Sequence, residues 1–148
     1  MGADVQRKMG SIRERSHGVI LLDTHAVIWL LMAPEQLSGP AHDAILQART
    51  AGERLVYSPV SLYEIANSAR RKRLQLYTTT EDFIAAVQGK LDLIPLTAAI
   101  AVCAGELPSP FHGDPMDRII AATAIVEDCT LITHDDEIHK AKVCKALW

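Results

Sequence analysis

The chain has few cysteines, and the three it has, Cys103, Cys129 and Cys144, are far apart and odd in number, with no Cys-x-x-Cys pair. That spacing argues against both a disulfide framework and a structural zinc site. No apolar run is long enough to span a bilayer, and the first eighteen residues hold charges and a polar Ser16-His17-Gly18 in place of an apolar signal region. The expectation is a cytoplasmic protein with no membrane partner. A formal net charge of -3 excludes a protein that coats nucleic acid by bulk charge, while leaving room for local basic patches. Internal repeats and low-complexity segments are also lacking.

What is present fits one domain of 148 residues, 49% of them hydrophobic, which suffices for a substantial core. Residues 1–18 carry Arg7, Lys8, Arg13 and Arg15 without apolar periodicity and read as a flexible basic extension, either solvated or touching RNA. The folded domain is expected over 19–148.

That domain is organised around Val19-Ile20-Leu21-Leu22-Asp23, an apolar run that stops at a carboxylate before a second apolar run begins at Thr24. Such a run suits a strand buried on both faces, with a buried helix over Thr24 to Ala33. Asp23 then lies at a strand's carboxyl end, where ligands bind in open α/β sheets. Pro34 ends the helix, and Ser38-Gly39-Pro40 starts another that runs to Gly52.

Leu55-Val56-Tyr57 reads as a second strand leading into Ser58-Pro59-Val60-Ser61-Leu62-Tyr63-Glu64-Ile65-Ala66, a helix with proline in its first turn and alternative serine caps. Leu62, Ile65, Ala66 and Ala69 form its apolar stripe; Ser61, Glu64, Ser68 and Arg71 share another face. Ser61 and Glu64 also fit a capping box. The run Arg70-Arg71-Lys72-Arg73 closes this helix, either as a solvated end or as a phosphate-contacting patch.

Thr80 is expected to cap a helix through Val87, and Leu91 to Leu96 a short strand that Pro95 confines to an edge or an end. Thr97 caps an alanine-rich helix to Leu107, and Pro108 to Gly113 form a hinge or specificity loop. Asp114-Pro115 then starts the most apolar helix, with Asp117 on the stripe that continues through Ile120, Ala121 and Ala124. A charge there needs a partner or a cation. Thr130-Leu131-Ile132-Thr133 is a fourth strand ending at His134-Asp135-Asp136, and a last helical turn and a strand around Val143 complete a mainly parallel α/β pattern.

Singly, these acids have structural explanations as caps and first-turn residues. Jointly, Asp23, Glu64, Asp117 and Asp135 all fall at the strand-end face. Clustered carboxylates repel, by roughly 4 kcal/mol for a pair about 4 Å apart at an effective dielectric near 20, and so require a cation or raised pKa values. Hard oxygen donors select Mg²⁺ or Mn²⁺ over Zn²⁺, and such a site suits phosphodiester hydrolysis.

The segments Leu21-Leu22-Asp23-Thr24-His25-Ala26-Val27-Ile28-Trp29, Ser58 to Ala66, Asp114 to Ala124 and Leu131-Ile132-Thr133-His134-Asp135, in this order, make the chain from Val19 to Trp148 resemble a PIN-domain ribonuclease of the VapC toxin type. The resemblance implies a three-layer α/β/α sandwich around a sheet of four to five strands. It also implies Mg²⁺- or Mn²⁺-dependent endonucleolytic cleavage of RNA, a homodimer, and inhibition by a cognate antitoxin in a type II toxin–antitoxin pair. The family's metal-binding and catalytic acids map onto Asp23, Glu64, Asp117 and Asp135, with Asp114 as accessory acid and Thr133 as supporting hydroxyl. The chain departs from many relatives at Ser68, Gly113 and His134, where they carry basic residues; Arg70, Arg71, Lys72 and Arg73 are candidates to replace that charge. Arg118 is a candidate either for phosphate or for pairing with Asp114.

Three other readings compete. A dehalogenase-like phosphatase wants a second aspartate where His25 stands. A phosphorylated receiver domain wants an acidic pair at the first strand and a lysine after a late one. A non-catalytic RNA- or partner-binding domain would keep the fold without hydrolysis.

Overall fold

The computed structural model describes residues 18–108, 111 and 113–148; the basic extension over 1–17 and parts of the Pro108 to Gly113 loop lie outside them. Five parallel strands form one sheet: β1 (Ile20–Leu22), β2 (Leu55–Tyr57), β3 (Asp92–Leu93), β4 (Thr130–Ile132) and β5 (Ala146–Leu147). Their spatial order is β3-β2-β1-β4-β5. Around them run α1 (Thr24–Met32), a 3₁₀ turn (Pro34–Gln36), α2 (Gly39–Thr50), α3 (Pro59–Arg70), α4 (Thr80–Lys90), α5 (Ala98–Glu106), α6 (Pro115–Val126) and α7 (Asp136–Ala141).

Strand alternation divides the core. Ile20, Leu22, Leu55, Tyr57 and Ile132 pack with residues of α1 to α4, and Leu21, Val56 and Leu131 pack with residues of α5, α6 and α7 on the opposite face. The three-layer sandwich follows, because a parallel sheet needs helices on both faces. Ile20, Leu21, Leu22, Val56, Leu131 and Ile132 are all fully buried.

The chain builds outward from β1 through β2 to β3 and then returns to place β4 on the other side of β1. β1 is therefore the topological switch point, and a crevice opens at its carboxyl edge.

Several local expectations shift. Thr79, not Thr80, caps α4, its hydroxyl accepting from the Asp82 amide. The third strand contracts to the two-residue edge Asp92–Leu93, ending just before Pro95, which has no amide proton to donate. The last strand forms at Ala146–Leu147, beyond Val143, because Leu131 and Ile132 pair with those residues.

Candidate active site

Each acid reaches the β1 crevice by a local device. Asp23 follows β1 directly, its amide donating to the Ile132 carbonyl and so prolonging the β1–β4 pairing by one residue. The same residue N-caps α1, with Oδ1 accepting from the Ala26 amide at 3.1 Å. Asp114 caps α6 by accepting from the Asp117 amide at 2.9 Å, which sets Asp117 in the first turn. Asp135 caps α7, accepting from the amides of Glu137 and Ile138. The expected cap roles of Asp114 and Asp135 and their places in the crevice are therefore the same geometry.

Glu64 arrives differently. α3 is capped by Ser58, not by a Ser61–Glu64 box. Ser61 is fully buried and 2.9 Å from the Thr24 hydroxyl, and that hydroxyl donates to Glu64 Oε1 at 2.6 Å. Thr24 has one proton to give, so Ser61 supplies the other bond and the order is Ser61 to Thr24 to Glu64. α1 thus covers the polar face of α3 and aims Glu64 into the crevice. Thr24 is a site residue that the sequence did not single out; its position next to Asp23 was the available signal.

Thr133 links the two central strands. Its hydroxyl donates to Asp23 Oδ2 at 2.5 Å and accepts from the Asp135 amide at 3.1 Å. His139 donates from Nε2 to the Thr133 carbonyl at 2.8 Å, fixing the backbone from behind.

Asp23, Glu64, Asp114, Asp117 and Asp135 line one cavity of about 410 Å³, with His25, Trp29 and His134 along its side. The ion pairs among the described residues, Arg54–Asp92 and Lys145–Asp128, are both at the surface and involve none of these acids. The concentration of negative charge shows in the titration of its members. Burial, followed by the charges of Asp114, Asp135, Glu64 and Asp23, pushes Asp117 up to about 7. Burial also raises Glu64, against the lowering effect of the Thr24 hydroxyl, with Asp114 and Asp23 adding to the rise.

The donor set is carboxylate and hydroxyl oxygen without sulfur, which fits a hard divalent cation. Among the described residues, no three Asp, Glu, His or Cys side chains are close enough to share one ion as they stand. Asp23, Asp114 and Asp135 each commit an oxygen to a helix amide, which fixes these carboxylates around the cavity.

Of the basic candidates, none lines this cavity. Arg70, Arg71, Lys72 and Arg73 are exposed at the far end of α3 from Glu64, and Arg70 donates to Asn67. Arg118 corrects its expectation: it does not pair with Asp114. Its guanidinium donates to the carbonyls of Ala104, Gly105, Leu107 and Phe111, and it lies over the Phe111 ring. Those carbonyls end α5 and open the following loop, and binding them occupies four of the five guanidinium protons. Gly113 is a glycine for want of room, since a Cβ there would lie 2.9 Å from Phe111 Cζ and 3.1 Å from Asp117 Cβ.

The chain matches the PIN domain family model over residues 20–143. It is 34% identical over 116 residues to Ribonuclease VapC22 of Mycobacterium tuberculosis, covering 78% of this chain and 86% of that protein. Two solved structures share its fold: a DNA-bound VapBC from Salmonella typhimurium (TM-score 0.64, 16% identity, 88% of this chain and 97% of that one) and VapBC-1 from nontypeable Haemophilus influenzae (TM-score 0.62, 20% identity, 87% and 96%). The crevice acids, their order along the chain and the extent of the match to both the domain model and a VapC ribonuclease place this chain in the PIN-domain family, among the VapC ribonucleases.

Proposed function

We propose that this protein is a divalent-metal-dependent endoribonuclease and the toxin of a type II toxin–antitoxin pair. The observation that carries the reading is the delivery of four acids from four elements, the ends of β1 and β4, the second turn of α3 and the first turn of α6, to one cavity with no lysine or arginine in its lining. A structural role does not account for that arrangement, since unneutralised carboxylates destabilise the fold that gathers them.

Asp23, Glu64, Asp117 and Asp135 would hold Mg²⁺ or Mn²⁺, with Asp114 accessory. A bound ion supplies Lewis acidity that lowers the pKa of water and offsets charge on the phosphodiester. The chain's own residues do the rest. Thr133 fixes the Asp23 carboxylate, and Ser61 and Thr24 fix Glu64, so the acids are oriented before substrate arrives. Asp117 has no side-chain hydrogen bond among the described residues, and without a cation burial and the neighbouring acids raise its pKa to about 7, so its charge is the one that a bound ion would most relieve.

Arg70 to Arg73 extend the substrate path along α3 as an exposed cationic strip for phosphates beyond the cut. The antitoxin partner is proposed on the family relationship, with solved neighbours that carry the name VapBC in support, and a homodimer on the family relationship alone. Residues 1–18 are proposed as an appendage to the domain over 19–148.

The test is cleavage of a mixed RNA pool by purified protein with Mg²⁺ or Mn²⁺, its arrest by EDTA, and its loss in Asp23→Ala. Equal cleavage by Asp23→Ala, or none by the metal-loaded wild type, would overturn the reading.

A further inference from the structure

One wall of the acid cavity is aromatic. His25 and Trp29 lie with ring centroids 5.5 Å apart, one turn apart on α1. Trp29, His134 and Trp148 form a closed triangle with centroid separations of 5.9, 5.2 and 5.5 Å, so each ring fixes the others. His25, Trp29 and His134 line the cavity, and Trp148 braces them from behind. The rings come from residues flanking the acids: His25 is two positions after Asp23, and His134 directly precedes Asp135.

Core packing explains only half of this wall. Trp29 and Trp148 do pack against the core beneath α1. His25 and His134 are exposed, and among the described residues neither imidazole makes a hydrogen bond or an ion pair. Asp23, by contrast, is only 8% exposed. The cavity thus has a charged floor and a rim of flat rings with unused polar edges.

We propose that His25, Trp29 and His134, braced by Trp148, form a subsite that stacks an unpaired nucleobase next to the scissile phosphate. The inference rests on reading the acid cavity as a nuclease centre. Its physical basis is the charge problem of that centre: five carboxylates repel the RNA backbone wherever the metal does not offset them, so beside the cut, away from the Arg70 to Arg73 strip, a contact insensitive to charge adds the affinity. Base stacking on aromatic rings is such a contact. A base paired within a duplex is already stacked on its neighbours and cannot lie on the rings, so the subsite selects single-stranded segments.

Trp29 and Trp148 are the two tryptophans of the chain, so intrinsic fluorescence reads this wall. Wild-type protein in Ca²⁺ is titrated with hexaadenylate, with an abasic ribose-phosphate hexamer and with an RNA duplex. Quenching is expected for hexaadenylate alone, and His134→Ala, an exposed position, should weaken its binding about tenfold. In steady-state cleavage of single-stranded RNA, the His134→Ala loss should fall in KM rather than kcat. His25→Ala should behave alike.

Equal quenching by the abasic strand or the duplex overturns the proposal, as does an unchanged Kd in both histidine variants. Quenching by an arginine-rich peptide and not by hexaadenylate also overturns it, assigning the wall to a protein partner. The two readings fail separately. Base-dependent quenching without cleavage under any metal keeps the subsite and removes the nuclease, whereas cleavage with KM unmoved in both variants does the reverse.

Discussion

The Thr133 hydroxyl donates to Asp23 Oδ2 at 2.5 Å while accepting from the Asp135 amide, joining residues 110 positions apart in sequence. One buried hydroxyl therefore orients an acid at the end of β1 and the loop that carries another acid at the end of β4. Thr133→Val removes both bonds and leaves two polar groups unsatisfied, which costs about 1–3 kcal/mol of stability. Cleavage should fall by about 10- to 100-fold, as for other residues that orient metal ligands. Thr133→Ser should recover most of both. Wild-type melting temperature and cleavage rate in Thr133→Val would refute the orienting role.

Asp117 ionises at a pKa raised from the ordinary 3.8 to about 7, so the folded state binds its proton more tightly than the unfolded chain. Stability from this group is present below about pH 4 and is lost as pH rises towards 7. Metal-free protein should lose stability across that window, and Asp117→Asn should flatten the loss. At pH 7.5 the variant should be more stable by about 1–2 kcal/mol, a figure discounted for the carboxylate's partial contact with solvent. Its cleavage should drop more than about 100-fold, since even residues one layer out from a metal cost 10- to 100-fold. Urea titrations between pH 4 and 8, with and without Mg²⁺, check the sign: a metal-free slope that rises with pH contradicts the charge-crowding account.

Arg118 and Arg71 should separate structure from substrate binding. Arg118→Leu strands four carbonyls and should destabilise the fold by about 3 kcal/mol or more. The dependence of log KM on log salt should stay as it was. Arg71→Ala, at an exposed position, should leave the melting temperature within a degree or two and reduce that salt slope by about one. The opposite pattern would return Arg118 to the phosphate path.

Gly113→Ala drives a methyl into the Phe111 ring and Asp117 Cβ at about 3 Å, neither of which is a free chain end. The expected cost is about 1–3 kcal/mol. Gly113→Ala in a Phe111→Leu background should recover part of it, and thermal unfolding of the pair measures the coupling.

Gly113 has its reason in Phe111: with that ring in place there is no room for a side chain. The sequence alone showed the glycine without its cause, because steric exclusion is set by a neighbour's rotamer and not by composition. The capping box at Ser61 and Glu64 failed for a related reason. Its spacing was right, but Ser58 holds the cap, and the pull of Thr24 on Glu64 comes from a helix 40 residues away in sequence.

What the sequence determined by itself was the order of elements and the acid that ends each one. Apolar runs stopping at Asp23 and at His134-Asp135, and Asp-Pro or Ser-Pro helix starts, are local signals whose physics acts within a few residues. Only the tertiary structure decided how those acids are held. The crossover that sets β4 beside β1 creates the bond from Thr133 to Asp23, the α1–α3 packing creates the relay to Glu64, and β5 brings Trp148 against Trp29 and His134. Each joins residues distant in sequence, and their meeting depends on strand order and helix placement, which no local pattern encodes. The first strand ends at its acid because of its own residues; that acid is a site because of the strand beside it.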